Sequence, residues 1–121
     1  MAWNSDRHLS LYYGVSGSGA VLHTVNPRLF AEQIIYIINH AEDRVLCFDA
    51  TFLPLVEKIA PALKTVQHFV LMTSRAHMPA ESSIPNLLCF DDLLAGTYTV
   101  SEQVAQPVVG GYTTSNGITV A

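Results

Sequence analysis

The chain has 121 residues, half of them hydrophobic, and its six basic and ten acidic side chains give a formal net charge of −4 with histidine neutral. That length makes one domain or a piece of one, with enough apolar material for a sizeable core and against disorder over most of it. No basic stripe is present, which argues against nucleic-acid binding through phosphate neutralisation, and no apolar run reaches the roughly 18 residues that read as a transmembrane helix.

The N-terminus also lacks the basic-then-apolar shape of a signal peptide. Cys47 and Cys89 both fall in apolar strand-like runs, with no CxxC or Cys/His cluster beside them. They read as small core residues rather than as disulfide or metal ligands. A cytoplasmic setting is the expectation.

Met1–Trp3 reads as the tail of a strand whose earlier part lies upstream. Asn4-Ser5-Asp6 is a helix start, with Ser5 as cap and Asp6 at the positive end of the dipole. Leu9, Tyr12, Tyr13 and Val15 follow in helical register, and Ser16–Gly19 ends the helix. The spacing Gly14-x-x-Gly17-x-Gly19 resembles a phosphate loop only superficially. Dinucleotide-binding glycines follow a strand and open a helix, whereas these close a helix and precede a strand.

Gly19–Ala50 organises the rest. Ala20–Val25 is a short apolar run stopped by Asn26-Pro27, since proline donates no backbone hydrogen bond and pushes its predecessor to an extended conformation. From Arg28 the period becomes helical: Leu29, Ile34, Ile37, Ile38 and Ala41 share one broad face, with Glu32, Gln33 and Asn39 off it. Glu42-Asp43-Arg44 is a polar break, and Val45–Phe48 is a continuous apolar run ending at Asp49. Two such runs joined by a helix read as a βαβ unit with parallel strands, and continuous apolar strands imply a sheet covered on both faces.

Thr51-Phe52-Leu53-Pro54 opens a further helix, with Thr51 as cap and Pro54 in the first turn. Its apolar positions are Leu55, Val56, Ile59, Ala60 and Leu63, and Pro61 shortens its last turn. Val66–Met72 is a strand, Thr73–Pro85 a loop by composition, Leu87–Phe90 a short strand, and Asp91–Ala95 one helical turn begun by a capping aspartate. Thr97–Val104 and Val108–Val120 are rich in Thr, Val, Gly and Ser without helical period, and either pair as a hairpin or stay loose. The fold expected is α/β: a three-layer, parallel-sheet subdomain of flavodoxin or Rossmann type over 1–95, then an irregular or β-rich tail over 96–121.

Val45–Ala50 (VLCFDA) and Leu87–Asp92 (LLCFDD) echo each other as strands ending in Phe-Asp. In a doubly wound sheet such ends line the ligand-facing edge; otherwise Asp49 and Asp91 cap or solvate them. The strand-end candidates for substrate contact are Asn4, His23, Asn26, Asp49 and Thr73. His23 is polar within an apolar strand and needs a partner, either in the core or from a ligand. His8 and His40 are expected to face solvent. None of the histidines pairs at i+4 or in a zinc spacing, no Gly-x-Ser-x-Gly or Walker sequence appears, and no catalytic or metal residue is assigned.

The stretch from Ala2 to Thr73, above all GAVLHTVNPRLFAEQIIYIINHAEDRVL, resembles the N-terminal region of the AMP-forming acyl-CoA synthetases, with medium- and long-chain fatty-acid CoA ligases most similar. The likeness runs to about Ala95. It implies a fragment of the first large domain of an enzyme that uses ATP and magnesium to adenylate an acid and then passes the acyl group to coenzyme A. The family's phosphate-gripping loop, of the type YTSGTTGxPKG, has as its counterpart here Gly111–Thr119, with different glycine spacing and without the Pro-Lys-Gly. Lysine there would meet the phosphates. The resemblance therefore implies a chain inactive alone, binding no cofactor of its own and tending to form homo-oligomers through exposed apolar surface. The alternatives are a free-standing flavodoxin-like module for binding or oligomerisation, or a subunit completed by a second chain.

Overall fold

The computed structural model describes residues 1–95 and the backbone of Thr119–Val120. Helix α1 is Asp6–Gly17, strand β1 Val21–Leu22, helix α2 Ala31–Ala41 and strand β2 Val45–Phe48. Helix α3 is Leu53–Ile59, strand β3 His68–Leu71, strand β4 Leu88–Cys89, helix α4 Phe90–Leu94 and strand β5 Thr119–Val120. The strands lie in the order β1-β5-β2-β3-β4 and every pairing is parallel. β1 and β2 thus run the same way, as the βαβ reading requires, but β5 lies between them. The remainder of the expected tail, hairpin or loose, falls outside the described residues.

Alternate residues of β2 and β3 serve opposite faces, as strand geometry dictates. Leu46, Phe48, Phe69 and Leu71 pack with Ile34, Ile38, Val56 and Ile59, so α2 and α3 cover one face. Cys47, Val70, Met72 and Phe90 form the second cluster, against which Leu11, Val15, Leu88 and Leu93 rest. α1 and α4 therefore supply the third layer. Fully burying each Leu, Ile or Phe contributes about 1.5–3 kcal/mol. Cys47 and Cys89 are buried and free, the small-core role expected of them.

α1 begins as anticipated, with the Ser5 side chain accepting from the His8 N–H. Of the residues expected in helical register, only Val15 packs inward. Leu9, Tyr12 and Tyr13 are exposed, while Leu11 and Val15, four residues apart, turn toward the sheet. α1 then closes through Gly19, whose φ of 84° suits a residue without Cβ.

α2 starts at Ala31 rather than Arg28. The Asn26 side chain accepts from the Arg28 N–H, and the Asn26 carbonyl from Leu29, so these residues form a turn before the helix. Of the expected face, Ile34 and Ile38 are fully buried and Ala41 is exposed. Asn39, placed off that face, instead ties α2 to the end of the next helix by donating to the Ala62 carbonyl and accepting from the Lys64 N–H.

Thr51 caps nothing. A 3-10 turn at Ala50–Phe52 precedes α3, and Asp49 occupies the cap position without capping the turn through its side chain. Pro54 does sit in the first turn of α3, and the chain after Ile59 tightens into a 3-10 turn around Pro61. β1, β3 and β4 are shorter than the apolar runs that contain them, because pairing reaches only part of each run.

The helix after β4 starts at Phe90, and its cap position is Cys89 rather than an aspartate. Asp91 has a different task. Its two carboxylate oxygens accept from Arg7 Nε and an Arg7 terminal nitrogen, both at 2.9 Å, clasping the start of α1 to α4. Arg75 pairs with Asp92 beside it. The Arg7 guanidinium holds the Asp91 carboxyl below its ordinary 3.8. A lowered folded-state pKa means the clasp contributes fully above pH 3.8 and is lost as the acid form takes over below it. In urea melts, Asp91→Asn should therefore lower the midpoint at neutral pH, and the gap to wild type should close on acidification past that value. A gap that persists in strong acid would show that the clasp is not electrostatic.

Candidate functional site

Because the strands are parallel, their carboxyl ends and the loops that follow gather on one edge. There a cavity of about 270 Å³ opens between α1 and the sheet. His8 and Leu11 of α1 form one wall, the segment Leu22–Pro27 another, and Met1, Ala2, Cys47 and Met72 the remainder. The Met1 amino group donates to the Cys47 carbonyl at 2.9 Å, and the Met1 carbonyl accepts from the Asp49 N–H. Met1 is thus bonded as a parallel strand residue beside Phe48, matching the strand tail expected at Met1–Trp3.

His23 is the polar centre of the cavity. Its Nδ1 lies 2.6 Å from Asp43 Oδ2. Asp43 has 0% of its surface exposed and reaches this position through the end of α2. Glu42 adopts the left-handed conformation, φ 57°; its N–H bonds the Asn39 carbonyl, and the Asp43 N–H bonds that of Ile38. This Schellman-type closure turns the chain inward at Asp43 with a glutamate where glycine is usual. Thr65 then fixes the Asp43 carbonyl by donating its hydroxyl at 2.9 Å.

Burial pushes the Asp43 carboxyl above its ordinary value, and the bond from His23 works against that rise. Asp43 Oδ1 is buried without a partner among the described residues. With Asp43 as carboxylate and the ring neutral, the shared proton sits on His23 Nδ1 and Nε2 is an acceptor. Nε2 carries no hydrogen bond among the described residues and is not one of the buried unpartnered atoms. Cys47, also on the wall, is inert as a nucleophile, since burial pushes its thiol up to about 12.

The strand-end candidates divide here. His23 and Asn26 share the cavity, although the Asn26 side-chain oxygen is already engaged by Arg28. Asn4 lines an adjoining hollow with Ser5, Leu9 and Tyr12, and His8 belongs to both. His8 is therefore half-buried between two hollows rather than simply facing solvent. His40 is exposed as expected, stacked on Tyr36. Asp49 lines neither hollow, and its carboxylate accepts from the Trp3 N–H at 2.6 Å. Thr73 is buried, and its carbonyl accepts from the Cys89 thiol and the Asp91 N–H. Sequence reasoning missed His8 and Asp43; for Asp43 the available signal was an acidic residue beside an apolar strand, opposite a lone strand histidine.

The AMP-binding enzyme family model matches residues 1–107. The chain is 60% identical over 95 residues to a 3-methylmercaptopropionyl-CoA ligase of Ruegeria pomeroyi, covering 78% of this chain and 17% of that protein. It is 51% identical over 94 residues to a medium-chain-fatty-acid–CoA ligase of Ectopseudomonas oleovorans, with the same coverage of 78% and 17%. A long-chain-fatty-acid–CoA ligase of Thermus thermophilus matches at 59% over 76 residues, covering 63% of this chain and 14% of that protein. The parallel α/β sheet and these matches together place the chain in the AMP-binding enzyme family. It spans about a sixth of the length of the relatives it matches, in agreement with an N-terminal portion of such a ligase.

Removing His23 leaves both Asp43 oxygens buried without a partner. His23→Ala should cost about 3 kcal/mol of stability, by the usual penalty for stripping one partner from a buried pair. Asp43→Asn should cost less, because an amide needs no charge compensation. Urea unfolding midpoints of the two variants check the order; equal or reversed losses would mean that the buried carboxylate does not govern the site.

Proposed function

We propose that this chain is the N-terminal frame of an AMP-forming fatty-acyl-CoA ligase and does not adenylate an acid by itself. The observation that supports this best is 60% identity to a CoA ligase of which the chain spans 17%. Adenylation requires a grip on the triphosphate, a metal and a positioned carboxylate held together. In this sequence the phosphate-loop counterpart, Gly111–Thr119, has no lysine. ATP, magnesium and coenzyme A belong on this reading to the complete enzyme, working on a medium- or long-chain fatty acid in the cytoplasm. On this reading Asn4, His23 and Asn26 face the substrate side of the frame while Asp49 and Thr73 brace it through their backbone bonds, residues 1–95 are the subdomain proper and 96–121 a divergent tail. Purified chain given ATP, magnesium and octanoate or dodecanoate should exchange labelled pyrophosphate no faster than buffer. Exchange above background would overturn the proposal.

A second reading concerns partners. Among the described residues, Leu9, Tyr12 and Tyr13 are 59%, 52% and 72% exposed on α1. A largely apolar hollow of about 690 Å³ also opens on the sheet beside Val45, His68, Val70, Leu88 and Leu93. Apolar areas of this kind favour association. They suit a homo-oligomer, or a second polypeptide that completes the enzyme. Light scattering of the pure chain should give a mass above the 13.2 kDa of one copy. A clean monomer at high concentration would remove the homo-oligomer and leave completion by another chain.

A further inference from the structure

We infer that the strand-end cavity is a binding site for a small neutral ligand, a compact apolar body bearing one hydroxyl, with His23 Nε2 as the acceptor of its hydrogen bond. The inference goes beyond family membership and does not depend on it, since it rests on the cavity and its buried Asp43 alone.

Three features select this chemistry. The first is the fixed state of the imidazole. Asp43 is held by its backbone bonds to Ile38 and by Thr65, is fully buried, and has one oxygen 2.6 Å from His23 Nδ1. It cannot swing to water, so it holds the ring with Nδ1 toward the carboxylate, and in the neutral ring this makes Nε2 the acceptor. The second is charge. A carboxylate or phosphate in the cavity would meet the field of buried Asp43 with no lysine or arginine on the lining, and an ammonium would shed its water with no carboxylate there to receive it. The titratable groups on the walls are His8 from α1, His23 from the strand-end segment and the inert thiol of Cys47 from β2, along with the Met1 amino group, already bonded to the Cys47 carbonyl. The third is size and lining. Leu11, Leu22, Val25 and Met72 supply apolar wall beside the polar His8, His23, Thr24 and Asn26, and about 270 Å³ falls just under the range of sites for drug-sized ligands. The Asn26 side-chain oxygen is taken by Arg28; among the described residues His23 Nε2, like the His8 ring and the Thr24 hydroxyl on the same lining, has no hydrogen-bond partner, and of these only His23 is held in orientation by a buried carboxylate.

The test uses the 121-residue chain with ¹⁵N-labelled histidine side chains. Benzyl alcohol is the probe, and toluene is the same body without the donor. In the free chain His23 should give the Nδ1-protonated tautomer. Benzyl alcohol should shift the His23 Nε2 resonance saturably and bind at least fivefold tighter than toluene, and His23→Phe should abolish that preference while toluene still binds. Should His23→Phe fail to fold, benzyl methyl ether, which has the oxygen but no donor, gives the same comparison on the wild-type chain and should bind no better than toluene. An Nε2-protonated tautomer, a shift that does not saturate up to the solubility limit, or equal binding of alcohol, ether and toluene would each overturn the inference. None of these results bears on pyrophosphate exchange, so this site and the ligase assignment fail separately.

Discussion

The described structure depends on burying β2 from every side. Leu46 and Phe48 have 0% exposure beneath α2 and α3, and Cys47 is buried on the opposite face. One edge of β2 carries β3 over its whole length; the other carries Val120 at Val45 and Met1 beside Phe48. A parallel strand leaves no face for water, and this is why Val45–Phe48 is a continuous apolar run with no alternation. Once β2 is central, its neighbours have one direction available, and the segments that leave the strands collect at a single edge. The cavity at His23 is a product of that direction, with α1 laid across the gap between the end of β1 and β2.

Two carboxylates show how differently one charge can serve such a frame. Asp91 stays near solvent, is paired in a two-pronged contact with Arg7, and is held in its charged form. It stabilises by adding an attraction that water only partly screens. Asp43 is taken out of water altogether, is pushed toward its neutral form, and retains one orphan oxygen. Burial of that kind opposes folding, and the His23 bond offsets only part of it. What Asp43 gains is geometry. It pins the start of β2 to the strand-end segment after β1, two stretches that β5 otherwise keeps apart, and it orients an imidazole that would rotate freely on its own.

The class of fold was legible in the sequence because it rests on local signals that agree with one another. Ser5 caps, Asn26-Pro27 stops a run, Pro61 tightens a helix end, and the 3.6 period of Ile34 and Ile38 announces a covered face. What could not be read is what depends on contacts distant in the chain. The apolar run Ala20–Val25 yields a strand of only two residues, because strand length is set by the partner it finds, and that partner is Thr119–Val120. Val15 was read correctly on α1, but Leu9, Tyr12 and Tyr13, grouped with it by register, point outward, and Leu11, the inward residue that completes its face, was passed over. The polar break at Glu42-Asp43-Arg44 did mark the end of α2, but not its left-handed geometry, a position usually marked by glycine. Of the strand-end candidates, His23 and Asn26 meet in one cavity while Asp49 and Thr73 are spent on backbone bonds, a division that sequence position alone cannot make.

The walls of the cavity also limit what it can do. Cys47 is close by, yet a thiol pushed up to about 12 stays protonated at any physiological pH and attacks nothing. Asp43 is spoken for by His23 and is sealed from the cavity, so it cannot take a proton from a ligand directly. Among the described lining residues the imidazole has no reactive thiol beside it and no lysine or arginine, and the Met1 amino group there is already bonded to the Cys47 carbonyl. Such a constellation can recognise a donor and hold it. Among the described residues at this cavity, the chemistry is therefore that of recognition: an imidazole held in one orientation beside a small hollow.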